Sequence, residues 1–140
     1  MSEASMLDMN FDEVYDMEVI PEGEECQVSI IAAEVTGKKN AEDEKMLVVR
    51  FSVIDHDTAE DIYHYLSIPN AELKRTDAKK ANKQMLRIRE FYQAFDVDYS
   101  QPVELANLQG LIGWAIVGVQ KPTAEYPQEK NFIKSFVLRG

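Results

Sequence analysis

The sequence predicts a mainly β domain with a single helix. Three observations carry that expectation: five separate segments alternate apolar and polar residues with the period of a strand, one segment between the third and fourth switches to helical spacing, and turn-forming residues separate them. The fold proper is expected to open at Pro21-Glu22-Gly23, where Pro suits the second position of a turn and Gly its end. Strand one follows in QVSIIAAEV, alternating through Val28, Ile30 and Ala32. Thr36 to Lys45 is polar and turn-rich and reads as a loop of about ten residues. Met46 to Ile54 is the clearest strand, with Leu47, Val49, Phe51 and Val53 on one face and Met46, Val48, Arg50 and Ser52 on the other. Asp55-His56-Asp57-Thr58 turns the chain into strand three, Asp61 to Ile68, where Ile62, His64, Leu66 and Ile68 alternate against Tyr63, Tyr65 and Ser67; Pro69 stops it.

From Asn70 to Phe95 the period becomes helical. Ala78, Ala81, Met85, Ile88, Tyr92 and Phe95 form an apolar stripe, and Thr76 or Asp77 suits the N-cap. Strand four is expected in LIGWAIVGV, with Ala115, Val117 and Val119 opposite Trp114, Ile116 and Gly118. Lys121 to Lys130 is a second long loop, and Asn131 to Leu138 is strand five, in which alternation puts Phe132 and Phe136 on the face of Lys134. Three meandering strands, one helix and a hairpin (β-β-β-α-β-β) are the element order of a five-stranded OB-type barrel with its helix between strands three and four. An open antiparallel sheet covered by one helix has the same order. Gly113 and Gly118 favour the bent strands of a small barrel.

Composition bounds the class. A chain of 140 residues, 45% hydrophobic and 29% charged, suits one globular domain. No apolar run approaches the roughly 18–20 residues that span a bilayer, and the acidic N-terminus lacks the basic start of a secretory signal. The lone Cys26 allows no internal disulfide, which fits a cytoplasmic protein. The net charge of −10 is unevenly spread. Residues 1–25 hold nine acids and no Lys or Arg, so the remainder carries 16 acids against 15 bases. Residues 1–20 therefore read as an acidic, mostly flexible leader, with residues 21–140 as the domain.

The chain also resembles a family of short bacteriophage proteins, encoded near replication and recombination genes and described as of unknown function or as single-stranded DNA-binding. The shared residues are Asn10-Phe11-Asp12 in the leader, Ile20-Pro21 and Gly23 ahead of strand one, and Met46-Leu47-Val48-Val49-Arg50-Phe51 in strand two. A basic helix, Leu111-Ile112-Gly113 and Lys130-Asn131 complete the pattern, which spans nearly the whole chain. The resemblance implies an OB-fold and single-strand binding in phage replication or recombination. Its motifs mark the fold and include no catalytic signature or established binding set. It departs at the end: many single-stranded DNA-binding proteins close on an acidic tail, whereas this chain closes on Phe136-Val137-Leu138-Arg139-Gly140, and the acidic leader is an alternative carrier of that role.

Single-strand binding needs aromatic faces for bases and a basic track for the backbone. The residues expected to supply them are Arg50, Tyr63, Tyr65 and Trp114 on strands, Lys38 and Lys39 in the first loop, Lys121, Tyr126 and Lys130 in the last, and Lys134 on strand five. Lys79, Lys80, Lys83 and Arg87 form a basic helix face, read either as a solvated surface or as an outer phosphate track. The leader has three readings: a solubilising tail, a competitor folding over the basic groove, or a recruiter of a replication or recombination protein.

No enzyme, cofactor or metal is expected. GxxxxGK[ST], GxSxG and HExxH are absent. His56, flanked by Asp55 and Asp57, reads as a surface turn, and no spacing joins it to Cys26 or His64. The leading expectation is a single-stranded DNA-binding protein without strong sequence specificity. The alternative is a protein-interaction OB module docking on a replication protein through barrel and leader. A DNA mimic is disfavoured because its acids would be spread over a folded surface. Homo-oligomerisation and a preference for DNA over RNA stay open.

Overall fold

The computed structural model describes residues 6–39 and 41–138, with the backbone alone for 41–43. Its elements are β1 (Glu25–Lys38), β2 (Ala41–Val53), β3 (Ile62–Ile68), α1 (Ala71–Thr76), α2 (Ala78–Ala94), a 3₁₀ turn at Leu105–Leu108, β4 (Ile112–Gln120) and β5 (Lys130–Val137). The strands form one antiparallel sheet in the order β3-β2-β1-β4-β5, and the helices lie between β3 and β4. The protein is mainly β, as expected. Among the described residues no helix is long and apolar enough to cross a membrane.

Alternation decides the core. Cys26, Val28 and Ile30 from β1, Leu47, Val49, Phe51 and Val53 from β2, Ile62 and Leu66 from β3, Ala115 and Val117 from β4 and Ile133 from β5 are all buried. The helical layer adds Ala81, Phe91 and Phe95. An aromatic cluster joins the layers. Phe51 stacks on Phe95 at 5.5 Å, Phe91 sits 5.2 Å from Phe95, and Phe136 lies 5.6–5.9 Å from Phe51, Phe91 and Phe95. His64 of β3 meets the edge of Phe136 of β5 at 5.3 Å, so the two outer strands of the sheet approach each other through side chains.

Four expectations need correction. The segment 36–45 is largely strand: β1 and β2 continue their ladder through Thr36↔Met46 and Gly37↔Lys45 to Lys38↔Ala41. A two-stranded ribbon extending past the core has solvent on both faces, so polar composition there signals exposure and is compatible with strand pairing. The helical segment is two helices. Asn70 caps α1, and Asp77 interrupts the run and caps α2 by accepting a hydrogen bond from the Lys80 amide. Its apolar stripe runs through Ala81, Ile88, Phe91, Tyr92 and Phe95, while Met85 is 50% exposed.

Phe132 and Phe136 do not share a face. A bulge between β4 and β5, where Ile116 pairs with Ser135 and Val117 with Ile133, leaves Lys134 as the extra residue. The extra residue shifts the alternation, sending Phe136 into the aromatic cluster and leaving Phe132 outside, against Gly118. Finally, the packed body begins before Pro21. Ile20 is 0% exposed, its amide donates to Asn131 Oδ1 at 2.9 Å, and Asn131 Nδ2 donates to the carbonyls of Ile20 (2.9 Å) and Gly118 (3.1 Å). Glu18 pairs with Ala59 in an isolated bridge, and Gly23, at φ +85, donates to the Val117 carbonyl.

Candidate nucleic-acid interface

Alternation along β3 turns Tyr63 and Tyr65 outward because Ile62 and Leu66 go to the core; they are 51% and 58% exposed. β3 and β5 are the two outer strands, and between them runs an open groove of about 1210 Å³. One wall is Tyr63, His64 and Tyr65, and the opposite wall is Tyr126, Lys130, Phe132 and Ile133 from the β4–β5 connection and β5. Residues Tyr15 to Val19 of the leader also line it. Arg50, paired across the ladder with Tyr63, carries its guanidinium 5.9 Å from the Tyr63 ring, and Lys130 Nζ lies 4.4 Å from the Tyr126 ring, both within cation–π range.

Four expected residues therefore converge in the groove: Tyr63, Tyr65, Tyr126 and Lys130. Arg50 stands beside it. Lys38 and Lys39 lie at the far tip of the β1–β2 ribbon, and Lys121 opens the exposed β4–β5 connection. Trp114 is half-buried on β4, opposite Gln27 and Val137, and is not among the groove's lining residues. Lys134 is the bulge residue of β5, 3.9 Å from Glu22. Nothing in the sequence pattern marks Phe132 as a groove residue, because the bulge that separates it from Phe136 is set by the β4 partner.

The groove is rich in carboxylates. Asp16, Glu18, Glu60, Asp61 and Glu129 line it together with Lys130. Several of the expected cations are already paired: Arg50 with Asp61 at 2.7 Å and Lys38 with Glu44 at 3.7 Å. His64, in the β3 wall, is held well below its usual pKa, at about 4, by burial, so it lines the groove as a neutral ring.

A second constellation lies at the base of the leader. His56, in the β2–β3 connection, sits with Nδ1 2.7 Å from Glu18 Oε2 and Nε2 2.5 Å from Glu24 Oε2. Cys26 Sγ donates to the same Glu24 oxygen at 3.4 Å. The ligand atoms of Glu24, Cys26 and His56 all fall within 4.8 Å of one another. Burial, then the hydrogen bond to Glu24, pushes the Cys26 thiol up to about 12. The carboxylate of Glu18 is the first cause holding the His56 ring above its usual pKa. Residues 24 and 56 are far apart in the chain and meet only because β1 and β2 pair, with the Ile54 amide donating to the Gln27 carbonyl.

No protein-family model matches the chain, and no curated protein matches it.

Proposed function

We propose that the protein is a single-stranded nucleic-acid-binding module, with DNA as its ligand, built on an OB-type barrel whose seam lies between β3 and β5. The order β3-β2-β1-β4-β5 with helices between β3 and β4 supports the barrel reading, since closing such a sheet would bring its two outer strands together. The observation that carries the binding reading is the set of exposed rings along one groove: Tyr63 and Tyr65 on one wall, Tyr126 and Phe132 on the other. Successive bases stack on such faces without regard to sequence. With Arg50 and Lys38 already paired, affinity rests more on stacking than on phosphate contacts. The resemblance to phage replication and recombination proteins sets the context for this role.

The test is fluorescence anisotropy with a labelled oligothymidylate, in competition with duplex. Single strands bind more tightly, and Tyr63→Ala and Tyr65→Ala each weaken binding by about 1–3 kcal/mol at constant salt with no change in melting temperature. The salt dependence stays shallow, at roughly −0.7 in the log–log slope for each phosphate contacted. Tighter binding to duplex, or tyrosine variants that bind as the parent does, would refute the reading. The carboxylates of the groove favour a second one, a protein-interaction module that accepts a basic partner segment there. It predicts no oligonucleotide binding at low salt.

A further inference from the structure

We propose that Glu24, Cys26 and His56 form a site for a divalent transition-metal ion of the zinc class, with Glu18 orienting the histidine. The donor set is a thiolate, an imidazole and a carboxylate, a combination suited to zinc and to cobalt as its substitute. Metal–ligand bonds of about 2.0–2.3 Å in a tetrahedron put donor atoms roughly 3.3–3.8 Å apart. The separation of Cys26 Sγ from Glu24 Oε2, 3.4 Å, is already in that range. The Glu24–His56 contact, 2.5 Å, must widen by about 1 Å. Glu24 is only half-buried, so rotation of its side chain can supply this.

The rear of the histidine carries the argument further. Metal-bound histidines usually donate their other ring N–H to a carboxylate, which sets the tautomer and aims the remaining lone pair at the ion. Glu18 occupies that position, 2.7 Å from Nδ1, and is itself held by the Thr58 hydroxyl at 3.2 Å and by its own amide donating to the Thr58 carbonyl at 2.9 Å. A histidine clasped between two carboxylates has no need of a thiol, whereas Cys26 is buried with its Sγ turned to the shared oxygen. Thiolate and carboxylate together balance a 2+ ion. Binding releases to solvent the Sγ proton and the proton between Nε2 and the Glu24 oxygen, and three protein donors leave a fourth position for water or an outside ligand. The ion would tie the start of β1, the β2–β3 turn and, through Glu18, the leader where it lines the groove.

The experiment is a cobalt(II) titration of the full chain after chelator dialysis, followed by displacement with zinc(II). The expected result is a thiolate-to-cobalt charge-transfer band that saturates at one ion per chain and is lost on adding zinc. Cys26→Ser, folded by circular dichroism, loses that band, and Glu18→Gln weakens binding by roughly 10–100-fold. A zinc-dependent rise in the melting temperature of the unaltered chain is the second measurement, needing no variant. The proposal is overturned if the unaltered chain shows no saturable band and no zinc-dependent rise, or if the band survives in Cys26→Ser or His56→Gln.

Discussion

At the scale of single residues, the two faces of β3 do different work. Tyr63 and Tyr65 are available to a ligand because their neighbours Ile62 and Leu66 satisfy the core. His64 belongs to the inner set, against Phe136, and burial lowers its pKa from 6.5 to about 4. An unfolded chain protonates this ring near pH 6.5, while the folded one resists until about pH 4. Its contribution to stability is therefore whole above pH 6.5 and is lost as the pH falls through that window, by roughly 3 kcal/mol in all. Replacing His64 with Leu should flatten this part of the acid dependence. Urea unfolding of both proteins at intervals between pH 7 and pH 4 checks it, and parallel curves would remove His64 as the cause.

At the scale of elements, two close contacts hold the sheet to what covers it. A Cβ at Gly113 would stand 2.9 Å from the Ala94 carbonyl oxygen and 2.9 Å from the Phe95 ring, so β4 accepts the end of α2 only because residue 113 has no side chain. Gly113→Ala should cost about 1–3 kcal/mol through overpacking, read as a lower urea midpoint with an unchanged slope. Asn131 is the other contact, pairing with both the N–H and the C=O of Ile20 and with the Gly118 carbonyl. Asn131→Ala leaves those backbone groups to find other partners, for a loss of about 1–3 kcal/mol in the same assay. In the sequence, Ile20-Pro21 and Lys130-Asn131 are separate markers of the fold. Their contact, across 111 positions of chain, gives them a shared physical role. The β1–β2 ribbon and the bulge at Lys134 are not legible in the sequence for one reason: each depends on a partner strand, and local composition does not report pairing.

At the scale of the whole molecule, the charge asymmetry and the packing divide the leader at different points. Residues 1–16 hold five carboxylates, and the positions described among them are exposed, whereas Glu18 and Ile20 are tied to the body. Deleting residues 1–16 should leave the melting temperature unchanged and tighten oligonucleotide binding at low salt. The gain should shrink as ionic strength rises and screening shortens the reach of the carboxylates to about 8–10 Å. Deleting residues 1–20 should also lower the melting temperature, because it removes the buried Ile20 side chain, a loss of about 2–5 kcal/mol. Equal melting temperatures for the two truncations would contradict the packing described for Ile20.

The sequence alone determined the mainly β class, the number and order of the five strands and the inward faces of β2 and β3. Those follow from an alternation that only a pleated, half-buried strand satisfies. It also located the excess negative charge, and it identified the tyrosines that reach the groove. Tertiary structure decided the rest. The bulge sent Phe136 inward and Phe132 outward, pairing of β1 with β2 carried His56 to Cys26 and Glu24, and packing drew Ile20 into the core. Each of these outcomes is a choice between conformations that are equal locally, so it is settled by contacts between residues distant in the chain.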